Sequence, residues 1–164
     1  MKRFFYQFLV FLIISSSCAE YQEPLTLPSI ANHNPKIDKN RVIPDPFSSN
    51  SFLVKTGMGC RGKTFTVATI TDKDKTDTIA YQWILGGTTI KQNIIKPSGR
   101  TQGATSMTLS KDIIDDITDR NDAINPSSNI LFKFIVYDED FDLSSGENSS
   151  DSVHWFVSFS DDPC

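Results

Sequence analysis

Histidine occurs only twice in these 164 residues, cysteine three times and glycine eight times. Nucleophilic catalysis needs a Ser or Cys with a positioned base and an orienting carboxylate. Here His33 lies in a proline-broken stretch, and His154 is the one histidine beyond it. That argues against an enzyme. Basic clustering is missing too: 16 Lys and Arg are scattered among 20 Asp and Glu, for a net charge of −4. Without a basic footprint to neutralise phosphates, a nucleic-acid partner is excluded. The leading apolar run, Phe4 to Ile14, has eleven residues, well short of the roughly 20 that span a bilayer. The glycine-rich stretch Gly57-Met-Gly-Cys-Arg-Gly62 lacks the strand-to-helix context of a phosphate cradle.

What the chain does have begins at its N-terminus. Lys2 and Arg3, the apolar run and then Ser15, Ser16 and Ser17 form a secretory signal, with charge, greasy core and small residues in order. Ser16, Ser17 and Cys18 resemble the lipobox of bacterial lipoproteins. The resemblance implies a signal peptide over 1–17, acylation of Cys18, and a lipid anchor in the bacterial cell envelope. The expected place is the outer membrane, facing periplasm or cell surface. Ser15 stands where Leu, Val or Ile is usual, and cleavage after Ala19 remains the alternative, releasing a soluble protein.

With Cys18 set aside, Cys60 and Cys164 remain. Two cysteines bracketing an exported domain are expected to be bridged, and neither has a Cys or His neighbour at metal-ligand spacing. From residue 18 to 51 the chain is polar and interrupted by Pro24, Pro28, Pro35, Pro44 and Pro46. Proline at that density withholds N–H donors and favours extended chain, so 18–51 is expected to be a tether with His33 solvated in it. Residues 52–164 then form one domain.

Within that domain the period becomes two. Strands are expected over 52–55, 64–69, 79–85, 88–95, 105–109, 130–138 and 153–159, about seven in all. Between 110 and 122, Ser110 heads one or two helical turns carrying Ile113, Ile114 and Ile117 on one face. Short strands at this turn spacing imply an all-β antiparallel sandwich rather than a parallel α/β sheet. Parity sends Tyr81, Trp83 and Trp155 into the core and His154 to the outer face.

The segment from Phe65 to Gly87, with Asp72, Asp74 and Asp77 in its turn and Tyr81 and Trp83 after it, resembles bacterial surface immunoglobulin-like, polycystic-kidney-disease-type and cadherin-like domains. The resemblance covers most of Cys60 to Cys164 and implies an immunoglobulin-like sandwich whose last two strands are 130–138 and 153–159. In that topology the Asp72, Asp74 and Asp77 turn and the Asp138, Glu139, Asp140 and Asp142 loop emerge at one end. Carboxylates in that number suit Ca²⁺, which takes six to eight oxygens. The competing reading is a set of ordinary solvated turns, in which Asp is favoured for local hydrogen bonding. No other cofactor is implied. The expected role is non-catalytic binding or structure with an unknown protein or glycan partner. A calcium-stabilised adhesion module is the alternative, and a cell-wall or glycan hydrolase with paired carboxylates is a third reading.

Overall fold

The computed structural model describes residues 33–74, 78–95, 104–120, 124–138 and 150–164. The strands in chain order are β1 (Lys36–Ile37), β2 (Val42–Ile43), β3 (Phe52–Lys55), β4 (Lys63–Val67), β5 (Ile70–Thr71), β6 (Ile79–Leu85), β7 (Thr88–Ile95) and β8 (Thr105–Leu109). The helix α1 (Lys111–Arg120) follows, then β9 (Ile130–Asp138) and β10 (Ser150–Ser160). One sheet has the order β3-β10-β9-β6-β7, a second the order β2-β4-β8, and β1 pairs with β5. This is an all-β sandwich with the strand order of an immunoglobulin-like fold, the last two long strands lying side by side at the centre of the larger sheet.

Alternation places the core. In β6, Ile79, Tyr81, Trp83 and Leu85 are buried; in β9, Ile130, Phe132, Phe134 and Val136; in β10, Val153, Trp155, Val157 and Phe159. The facing sheet supplies Phe65 and Val67 from β4 and Leu109 from β8. Phe65 crosses the gap between the sheets, its ring centroid 4.9 Å from Phe132 and 5.1 Å from Trp155. Trp83 stacks on Phe132 at 5.2 Å and on Trp155 at 6.0 Å. Helix α1 seals this core with Ile114 and Ile117. It runs for ten residues, longer than the one or two turns expected, with the amide of Ile114 donating to the carbonyl of Ser110 at 3.3 Å.

Three expectations need correction. The tether expected to reach residue 51 instead joins the fold from residue 33 onward. Ile37 and Val42 are buried in the core, β1 pairs with β5 and β2 with β4. Prolines at 35 and 44 bracket these two-residue strands, so each is too short to show a period, and long-range docking rather than local propensity holds them. Second, the strand expected over 64–69 stops at Val67, and β5 follows at Ile70–Thr71; with β1 and β2 this makes ten strands among the described residues. Third, the sheets are not purely antiparallel: β3 runs parallel to β10. The chain leaves β2 in one sheet and enters the other sheet as β3.

Cys60 and Cys164 are joined by a disulfide, with their Cα atoms 5.2 Å apart and a sequence separation of 104. The staple lies just past the β3–β10 pair, where the Thr56 amide donates to Ser160 O and the Cys164 amide to Met58 O. Closing a loop of this length stabilises by about 4–5 kcal/mol in the chain-entropy model. Two glycines allow the close approaches around it. A Cβ on Gly57 would stand 2.1 Å from the carbonyl oxygen of Asp161, and one on Gly62, at φ +78°, would stand 2.0 Å from that of Leu109.

Because Phe132 touches Phe65, Trp83 and Trp155 at once, truncating it leaves a cavity where the two sheets meet. Phe132→Ala is expected to cost about 3–5 kcal/mol, measured as a fall in the urea midpoint with an unchanged slope.

Candidate functional site

The acidic end and the face of β10 are the two places where chemistry could gather. At the acidic end, register pairs Ile79 at the start of β6 with Asp138 at the end of β9, and Tyr137 with Ser150 at the start of β10. The chain therefore enters β6 and leaves β9 at neighbouring positions of the sheet. Asp77, Asp140 and Asp142 lie outside the described residues.

The described carboxylates already serve the protein. Asp72 Oδ1 accepts from the Asp74 amide at 2.9 Å, the local turn chemistry that favours Asp here. Asp74 Oδ2 accepts from the His33 amide, and Asp74 Oδ1 lies 3.1 Å from His33 Nδ1. Asp138 is buried at the end of its strand. Among the described residues no three His, Cys, Asp or Glu side chains stand together as metal ligands would. His33, expected to be solvated in a tether, instead clasps this turn to the start of the folded chain. The amide of His33, foremost, and its nearby ring hold the Asp74 carboxyl below the usual aspartate value of 3.8.

On β10 parity works as expected: Trp155 is buried, while His154 and Phe156 are exposed. The His154 ring lies edge-on to Phe156 at 6.4 Å, and its cross-strand partner is Lys133. Around His154 the outer sheet face is unusually apolar. Phe156 is 44% exposed and sits opposite Leu131, which is 43% exposed; Leu53 of β3 is 51% exposed.

Beside this face lies a groove of about 440 Å³, with Ser152, His154 and Phe156 on one side and Pro46, Phe47 and Asn50 on the other. Phe47 is 83% exposed. The wall is the proline-containing segment after β2, held down by two long-range contacts. Trp155 Nε1 donates to Pro44 O at 2.9 Å, and the Ile37 amide donates to Asp151 Oδ2 at 2.9 Å. The groove escapes sequence reasoning because its second wall falls in the stretch expected to be tether; only the exposed parity of His154 and Phe156 signals it.

No known family model matches the chain, and no curated protein matches it in sequence.

Depressing a carboxyl's pKa in the folded state adds stability that is complete above the unfolded value and is lost as pH falls through the folded value. Asp74→Asn removes this dependence. Its urea midpoint should fall less steeply than that of the parent between about pH 5 and pH 2.

Proposed function

We propose that the chain is an exported lipoprotein, anchored through an acylated Cys18, whose immunoglobulin-like sandwich binds a partner rather than catalysing a reaction. The carrying observation is the Cys60–Cys164 disulfide. A bridge joining the two ends of a domain suits an oxidising compartment, and it agrees with the export signal formed by Lys2, Arg3, the run to Ile14 and the serines before Cys18. Among the described residues no helix is long and apolar enough to cross a membrane. On this reading attachment is through the lipid carried by Cys18.

The binding half of the proposal rests on surface composition. Phe47, Leu53, Leu131 and Phe156 are large apolar side chains left exposed, and three of them sit on adjacent strands of one sheet face. Neighbouring exposed apolar groups of this kind mark contact surfaces.

Cys18→Ala is the deciding experiment for the anchor. The parent chain should incorporate a labelled fatty acid and sediment with membranes; the variant should do neither, since each buried CH₂ of the lipid contributes ~0.8 kcal/mol to residence. Unchanged partitioning of the variant would overturn the lipoprotein reading.

A further inference from the structure

We propose that the groove beside β10 is a strand-addition site, which takes an extended, acidic peptide segment of a partner protein onto the open backbone of residues 152–156. The inference deepens the binding reading above and rests on it.

Hydrogen-bond direction along the sheet identifies the open backbone. The Ser160 carbonyl accepts from the Thr56 amide, and the Phe159 amide donates to Pro126 O on the opposite side. The Leu131 carbonyl of β9 accepts from Gly86, on the side of β6. Even-numbered residues of β10 therefore turn their backbone groups away from β9, by the strict alternation of a strand. At Ser158 and Ser160 they meet β3. The β3 pairing ends at Val157, so towards the N-terminus β10 has, among the described residues, a hydrogen-bonded strand on its β9 side only, with β1 beside its first residues through Ile37 and Asp151. Asp151 Oδ1 takes the Ser152 amide. That leaves the carbonyl of Ser152, the amide and carbonyl of His154 and the amide of Phe156 facing the groove.

Such an edge is ordinarily paired, covered or charged. Here the 46–50 segment stands off from it and leaves the groove between, so the edge is walled without being paired. Five residues of edge extend for about 17 Å, the length of a short added strand, and main-chain pairing at an exposed edge is a standard mode of peptide capture. Phe47 and Phe156 flank the slot and offer apolar contact to alternate side chains of an incoming strand.

Charge selects the partner. The groove is lined by Lys39 and His154 and by no carboxylate, with Lys133 opposite His154 across the strand pair. Lys39 lies 3.6 Å from Asp151 yet remains half exposed. In a chain of net charge −4, the two ammonium groups of Lys39 and Lys133 against the one carboxylate of Asp151 leave an excess of positive charge here that is complementary to acidic side chains, and such complementarity sets specificity and register.

The test is fluorescence anisotropy on the mature full-length protein with three labelled seven-residue probes: alternating aspartate and valine, alternating lysine and valine, and the first peptide with alternate amides N-methylated. The aspartate peptide is expected to bind saturably, and each of the other two at least about tenfold more weakly, the effect of losing roughly one net hydrogen bond or charge contact. His154→Pro deletes one groove-facing amide while sparing the β9 ladder, as proline at an edge position does, and should weaken the aspartate peptide about tenfold or more. Lys39→Ala should narrow the preference for aspartate over lysine; it decides the matter alongside the N-methylated peptide if the proline variant does not fold. No saturable binding of the aspartate peptide, or binding indifferent to N-methylation or to Lys39→Ala, would overturn the proposal. Membrane anchoring is read separately through Cys18, so failure here leaves that part of the functional reading standing.

Discussion

The inter-sheet aromatic contact is the constraint on which the other features hang. Phe65 from one sheet is wedged against Phe132 and Trp155 from the other, with Trp83 stacked behind. Each aromatic pair contributes about 0.5–1.5 kcal/mol beyond its buried area, and together they fix which face of every strand looks inward. Once Trp155 is committed to the core, period two forces His154 and Phe156 outward. Its indole N–H still needs a partner, and Pro44 O supplies one. By contrast the buried Trp83 Nε1 has no hydrogen-bond partner among the described residues, so Trp83 acts through its rings alone. The core thus dictates both the apolar outer face and the course of the segment that runs past it.

Two devices manage the edge of β10, and they differ in kind. Its C-terminal half is closed by the β3 ladder and stapled by Cys60–Cys164. Its N-terminal half is bordered by the 36–50 segment, pinned at Asp151, at Pro44 and, through His33, at Asp74. A ladder saturates backbone groups, whereas side-chain pins leave them accessible. That difference produces a groove in one place and not the other, and it gives the proposed binding role a physical location.

Long strands were legible because alternation persists for many residues. The spans 79–85, 88–95, 105–109 and 130–138 agree with the expected ones, as do the inward Trp83 and Trp155 and the cysteine pairing. Two-residue strands carry no period. β1, β2 and β5 exist because Ile37, Val42 and Ile70 each find a core already built by distant residues, which no local window reveals. Proline density between 24 and 46 argued for extended chain, and the segment 33–51 does hold short extended strands, but a 3-10 turn at Lys39–Arg41, strand pairing and burial separate it from a tether. The acidic residues were legible as turn formers, with Asp72 and Asp74 serving neighbouring amides, while the candidate groove needed the fold to bring residues 46–50 beside 152–156.

Residue-resolved hydrogen exchange on the full-length protein tests most directly the claim that residues 33–51 belong to the sandwich and border β10 without pairing to it. The amides of Ile37 and Asp38 should exchange as slowly as other protected sites of the domain, since they donate to Asp151 and to Thr69 O. Along β10 protection should alternate, slow at Val153 and Trp155 and fast at His154 and Phe156. Fast exchange at Ile37 and Asp38, or protection at His154 and Phe156 equal to that at Trp155, would contradict the account.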